Sequence, residues 1–113
     1  MDRNTVVLFT RYGLGDGPED LQRTLAVKFL TLTLESGQLP ARILCYTAGV
    51  RLACTGSPVL DQLKELTARG VELVLCKTCL DTYNLAGEVQ VGIVGGMGDI
   101  LVSLQQAGKV ISL

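Results

Sequence analysis

Histidine does not occur among the 113 residues, and that absence excludes more chemistry than any other feature of the chain. Without imidazole there is no Ser-His or Cys-His nucleophile pair, no histidine general base and no histidine-ligated metal. Catalysis would have to come from Cys, Asp, Glu, Lys, Tyr or backbone dipoles. An excess of positive charge is also missing: 10 Lys and Arg stand against 11 Asp and Glu, for a net charge of -1. The basic residues form no stripe, so we expect no nucleic-acid partner. No apolar run approaches the ~18 residues that a membrane span needs, so no membrane association is expected. Residues 1–4, Met-Asp-Arg-Asn, lead directly into a strand-like run without a signal-peptide pattern, and the expected compartment is the cytoplasm. Aromatics are few, at 4%, and prolines number three. What the chain does have is an aliphatic composition, 48% hydrophobic and 19% charged, enough for a packed core in one domain spanning 1–113.

Strand-like and helix-like segments alternate. "TVVLFT" (5–10) is a short β-branched run, followed by the turn-rich "RYGLGDGPED". Pro18 suits the first turn of a helix, Glu19 and Asp20 favour its positive end, and Gly37 should stop it after Ser36. A second strand is expected over 41–47. Ser57 and Pro58 suit the N-cap and first position of a second helix, with Val59, Leu60, Leu63 and Leu66 turned inward and the end at Gly70. A third strand over 71–76, a short helix over 78–85, a fourth strand over 89–94, a helix over 100–107 capped by Asp99, and a final strand "KVISL" complete the pattern. Strands joined by helices imply right-handed crossovers and a mostly parallel five-stranded sheet covered on both faces, hence a three-layer α/β domain.

The first helix carries apolar residues on two sides. Leu21, Leu25, Phe29 and Leu32 share one face, while Ala26, Val27, Leu30 and Leu34 lie roughly opposite. One face can meet the sheet, and the other is expected to meet another subunit, so a homo-oligomer is predicted.

Four cysteines in a reducing compartment point to thiols or ligands rather than structural disulfides. Cys76 and Cys79 form a C-x-x-C pair at the end of "VELVLC". Zinc would need a second pair of ligands, but Cys45 and Cys54 are separated by eight residues and Cys45 lies mid-strand; no metal is expected. A thioredoxin fold carries its C-x-x-C on an early strand, whereas this one follows two strand–helix units, although a reversible Cys76–Cys79 disulfide is compatible with the spacing. "GLGDG" and "VGIVGGMGDI" resemble nucleotide loops. The first lacks the G-x-G-x-x-G spacing, and the second has Leu101 at the third glycine position and no room for a ribose-binding acid downstream. No cofactor is expected from either.

What remains is a sulfur nucleophile. Cys76 is expected at the carboxyl end of a central strand, where open α/β sheets hold ligands. Thr78 and Asp81 form a T-x-x-D capping pattern that would put Cys79 in the first turn of the short helix. Lys77 and the helix start would favour a thiolate. Tyr12, Gly13 and Gly15, after the first strand, would border the same crevice. Cys45 reads as a small buried hydrophobe, and Cys54 is left open.

Three stretches carry a family resemblance: residues 7–60, from "VLFTRYGLGDG" through "LPARILCYTAGVRLACTGSPVL"; "LTARGVELVLCKTCLDTYNL"; and "VQVGIVGGMGDILVSLQQAGKVISL". The chain resembles the DsrE/DsrF-like sulfur-relay family, most closely the carboxyl-terminal domain of its YedF-type members, which are described as sulfurtransferase-like proteins of selenium metabolism. The resemblance implies a flavodoxin-like parallel sheet, trimers or hexamers, and a cysteine that receives and passes sulfur as a persulfide. The working position corresponds to Cys76. Cys79 completes the C-x-T-C form of the YedF-type branch and would resolve a persulfide or form a disulfide. YedF-type members usually carry an additional amino-terminal carrier-like domain, so here the sulfur donor is expected in trans. Lys77 stands where glycine is common, and "GGMGDI" replaces a common Asn-Met-Tyr-Asp pattern. A sulfurtransferase-like persulfide carrier is therefore the leading expectation. A non-enzymatic oligomeric module for a small ligand, or a C-x-x-C redox sensor, are the alternatives.

Overall fold

Five short aliphatic segments pair side by side, all in parallel, to form one sheet. In the computed structural model, which describes residues 1 and 3–113, the elements run β1 (Thr5–Phe9), α1 (Glu19–Ser36), β2 (Arg42–Cys45), a 3-10 helix (Thr47–Ala53), α2 (Leu60–Ala68), β3 (Glu72–Cys76), α3 (Lys77–Thr82), a second 3-10 helix (Ala86–Glu88), β4 (Ile93–Gly95), α4 (Met97–Gln106) and β5 (Lys109–Ser112). The strand order is β4-β3-β2-β1-β5. The chain therefore winds from β1 to β4 in one direction and then returns to place β5 on the far side of β1. Right-handed crossovers put α1 and α2, which pack on one another, on one face and α4 on the other. This is the expected three-layer α/β architecture, with every pairing parallel.

The three inner strands supply the core. Val6, Val7, Leu8 and Phe9 of β1, Ile43, Leu44 and Cys45 of β2, and Leu73, Val74 and Leu75 of β3 are all buried. Both faces of these strands are covered, so they read as continuous apolar runs rather than alternating ones. The edge strands differ. Ile93 and Val94 of β4 and Val110 of β5 are largely exposed, so the expectation of a sheet covered throughout holds only for its centre.

The first helix has the expected bounds. Pro18 sits one position earlier than expected, at the N-cap rather than inside the first turn, and its carbonyl accepts the Gln22 N–H. Gly37 ends the helix in the left-handed conformation, with its N–H on Leu34 O. Ala26, Leu30 and Thr33 face the core, while Leu21, Leu25 and Leu32 are 49%, 36% and 62% exposed.

Elsewhere the boundaries move. The second helix opens at Leu60 rather than Pro58. Ser57 Oγ still accepts a backbone N–H, from Val59, but in a turn ahead of the helix. The fourth strand starts at Ile93, not Val89, because Gly92 takes a φ of 91° and breaks the extended run; Val89 instead makes an isolated antiparallel bridge to Cys54. Asp99 lies inside the last helix, which opens at Met97. Its Oδ2 reaches back to accept the N–H of the N-cap residue Gly96 at 3.0 Å.

The segment after β2 was not anticipated as a helix. It presses onto the end of β1 so closely that a Cβ at Gly49 would overlap the Phe9 carbonyl. Gly49→Ala should therefore lower the unfolding free energy by about 1–3 kcal/mol in urea titration. Gly87→Ala, where an added Cβ meets nothing within 4 Å, should change it by less than about 0.5 kcal/mol.

Cys45 gives a second test. It is fully buried in β2, and burial first, then the neighbouring Cys54, pushes its thiol up to about 12. The thiol of the unfolded chain ionises nearer its ordinary value. Above that value the unfolded state loses protons that the native state keeps, so stability falls as pH rises toward 12. At ~1.4 kcal/mol per pH unit, this one group should cost about 2 kcal/mol of stability between pH 8 and 10.5. In parallel denaturant titrations, Cys45→Val should lose that much less over the same interval.

Candidate functional site

Cys76 ends β3 and Cys79 lies one turn later in α3. The register sets their surroundings. Phe9 pairs with Cys45, and Cys45 with Leu75, so the carboxyl ends of β1, β2 and β3 are nearly level. The residues that follow them, Thr10, Tyr46–Thr47 and Cys76–Cys79, meet at one edge of the sheet. There the Thr47 N–H donates to Cys79 Sγ at 3.0 Å, and the Thr47 hydroxyl donates to Thr10 O and is shared with Tyr46 O at 2.7 Å. Thr47 holds a φ of 47°, an outlying conformation for a β-branched residue.

The two thiols differ in access. All four cysteines are free. Cys76 is 1% exposed, because the inward pattern of β3 continues through its last residue and Cys76 pairs with Gly95 of β4. Cys76, expected at a strand end that holds ligands, is therefore sealed from solvent, and the half-buried Cys79 is the thiol near it. Burial first, then the neighbouring Cys76 thiol, raise the Cys79 thiol above its ordinary value, and the Thr47 N–H pulls it back down. A lowered thiol was expected here, and the net shift is upward.

The expected cause of lowering is engaged elsewhere. Lys77 Nζ pairs with Asp81 Oδ2 at 2.7 Å, an i,i+4 pair on the exposed side of α3, and Asp81 raises the Lys77 ammonium. This pairing also replaces the expected capping box. The helix opens at Lys77 with Cys76 as its N-cap, and no side chain caps it. Thr78 is exposed, and its carbonyl accepts the Thr82 hydroxyl.

Tyr12, Gly13 and Gly15 are not drawn into this cluster. The Tyr12 ring lies under the Arg23 guanidinium at 4.1 Å, and its hydroxyl donates to Gly56 O at 3.4 Å. It lines a shallow hollow with Asp20, Arg23, Thr24, Val27, Gly56 and Pro58, in which no cysteine takes part. Gly13, with a φ of 139°, packs against Gln22 of α1, and the Leu14 N–H donates to Gln22 O. Gly15 continues that loop with a φ of 79°. The topology gives the reason. The loop leaves β1 beside the β1/β5 switch point, where open sheets form their crevice, whereas Cys76 leaves β3, on the other side of β2. The strand bearing Cys76 is thus next to the central strand rather than central itself.

Cys54 is buried, and its thiol donates to Val50 O at 3.3 Å. Burial raises it, with a further upward push from Glu88 and a downward one from Arg51. Cys45 and Cys54 therefore pack as thiols and lie outside the cluster. Among the described residues no three Cys, Asp or Glu side chains gather as a metal site, and no helix is long and apolar enough to cross a membrane. Sequence reasoning missed Thr47, which read as the last residue of a strand; nothing in "CYTAGV" marks a left-handed threonine.

Comparison with solved structures supports the architecture. The chain aligns over its full length with the full length of the ychN protein from E. coli, at a TM-score of 0.71 and 23% identity. A protein of unknown function from Methanobacterium thermoautotrophicum, MTH1491, is similar at a TM-score of 0.71 and 19% identity, with 99% of this chain and 100% of that one covered. BT1422 from Bacteroides thetaiotaomicron, also of unknown function, gives 0.68 and 16%, covering 97% and 95%. No curated protein matched significantly. The model of the DsrE/DsrF-like family matches residues 15–113, which include the C-x-x-C pair and all of the sheet except β1. The chain belongs to the DsrE/DsrF-like family.

Proposed function

We propose that this protein is a persulfide carrier in a sulfur relay, with Cys79 as the sulfur acceptor and Cys76 as its buried partner. One observation carries the reading: two free thiols stand one helical turn apart, Cys79 half-buried at the edge of the sheet with its sulfur on the Thr47 N–H, and Cys76 sealed behind it. Family membership supplies the class of chemistry, since DsrE/DsrF-like proteins are generally sulfur-relay proteins. The C-x-T-C-L-D-x-Y run supports the YedF-type branch, with selenium as an alternative cargo. The roles of the two cysteines are exchanged relative to the sequence-based expectation, because only Cys79 is open to a donor.

The transfer follows thiol–disulfide logic. The Cys79 thiolate attacks the outer sulfur of a donor persulfide, R–S–SH. The donor S–S bond breaks, R–S⁻ leaves, and Cys79 carries –S–SH. An acceptor thiolate then attacks that outer sulfur and returns Cys79 as a thiolate. Donor and acceptor act in trans. A side path is open to Cys76: its thiolate attacks Cys79 Sγ, hydrosulfide leaves, and a Cys76–Cys79 disulfide remains for a dithiol to reduce. The same C-x-x-C placement, with both thiols free, supports a redox sensor as the second reading. The exposed leucines of α1, Leu21, Leu25 and Leu32, fit burial in a trimer or hexamer.

Incubation with a low-molecular-weight persulfide, followed by peptide mass spectrometry, should add about 32 Da, one sulfur, to the peptide carrying Cys79. Cys79→Ser should abolish the adduct. Cys76→Ser should keep it and lengthen its lifetime. Loss of two hydrogens in place of an adduct would favour the sensor, and unmodified, alkylation-resistant thiols would favour a binding module. Sedimentation equilibrium should give three or six times the chain mass, and Leu32→Asp should lower it.

A further inference from the structure

We propose that Thr47 is a positioning residue for Cys79: its backbone amide, locked in place by its own hydroxyl, holds the reacting sulfur and steadies the negative charge it carries during transfer. The geometry is specific. The Thr47 N–H reaches Cys79 Sγ at 3.0 Å, closer than most contacts to sulfur, across 32 residues of sequence. Only an unusual backbone can aim it there. Thr47 is one of two non-glycine residues with positive φ among the described residues, and it is β-branched, so the conformation persists only because its surroundings impose it. The restraint is its own hydroxyl, anchored on Thr10 O and Tyr46 O. Its neighbours are equally constrained. The Tyr46 N–H is held on Phe9 O at 3.1 Å, and Gly49 is seated on the Phe9 carbonyl. The amide is therefore fixed by β1 and β2, not by the element that carries the cysteine. It is aligned before any reaction, as a donor to a developing anion should be. A bond from a backbone N–H to sulfur favours the ionised form and opposes the burial and the neighbouring Cys76, which favour the thiol.

This inference rests on the reading that Cys79 is the reacting thiol, but it is tested on the thiol itself. The rate of Cys79 alkylation by iodoacetamide, followed by peptide mass spectrometry from pH 6 to 10, reports its thiolate fraction. Thr47→Val removes the hydroxyl and frees the turn to relax to negative φ. The alkylation midpoint should move up, with the rate at pH 8 falling about 3- to 10-fold. Thr47→Ser keeps the hydroxyl and should stay within about twofold of wild type. Thr47→Gly adopts positive φ without strain, keeps the amide in place, and should stay within about threefold. If Thr47→Val does not fold, as judged by circular dichroism, Thr47→Ala provides the same loss of hydroxyl. A valine or alanine variant with the wild-type pH profile would overturn the proposal, and so would a glycine variant as slow as the valine one. Persulfide loading, run alongside, separates the two readings. A protein that takes up no sulfur yet shows the valine shift loses the carrier role and keeps the Thr47 role; normal loading without the shift does the reverse.

Discussion

The level register of β1, β2 and β3 is the constraint on which the site depends. Parallel pairing of Phe9 with Cys45 and of Cys45 with Leu75 brings three carboxyl ends to the same height. Each strand then releases its chain into the same small volume. A slip of one residue in any pair would turn a buried run toward the other layer. A slip between β2 and β3 would also move Thr47 by about 3.3 Å relative to Cys79, far enough to break a hydrogen bond. The register is protected because these strands are buried on both faces, and the edge strands, whose residues are largely exposed, take no part in it. The least forgiving part of the sheet therefore carries the cysteine cluster.

Much of this was legible in the sequence, for identifiable reasons. Helix α1 was bounded by Pro18 and Gly37, two residues whose backbone preferences act locally. The alternation of strand and helix gave the parallel class, because crossovers of that length allow little else. The errors lie where tertiary contacts overrule local signals. Ser57–Pro58 is a strong helix start, yet the chain spends two more residues in a turn before α2. Val89–Val91 is as β-branched as any strand here, but Gly92 at a φ of 91° separates it from β4.

The misreading of Lys77, Thr78 and Asp81 has one cause, the start of α3 two residues earlier than its capping pattern suggests. With Cys76 as N-cap, Lys77 and Asp81 fall four apart in the helix and pair with each other. The sequence pattern T-x-x-D then has no cap to make, and the lysine has no thiolate to serve. Cys76 ends β3 as expected, but the inward pattern of the strand continues through it and seals its thiol. Thr47 was invisible for a different reason. Its conformation follows from what β1 places beneath it, and no property of threonine announces that.

The electrostatics of the pair suit holding sulfur better than rapid exchange. A thiol raised by burial and by a neighbouring thiol is sparsely ionised near neutral pH, which slows attack on a donor. The same rise makes its thiolate a poor leaving group once a persulfide has formed. In the proposed carrier role, adventitious thiols that strike the outer sulfur would displace Cys79 slowly, so the cargo would be retained. Release then needs something that stabilises the departing Cys79 thiolate. Of the causes acting on Cys79, only the Thr47 amide works in that direction. A carrier that must load, hold and surrender a sulfur atom needs opposing influences on one atom. Here they come from different elements: retention from β3 and α3, and release from the turn after β2.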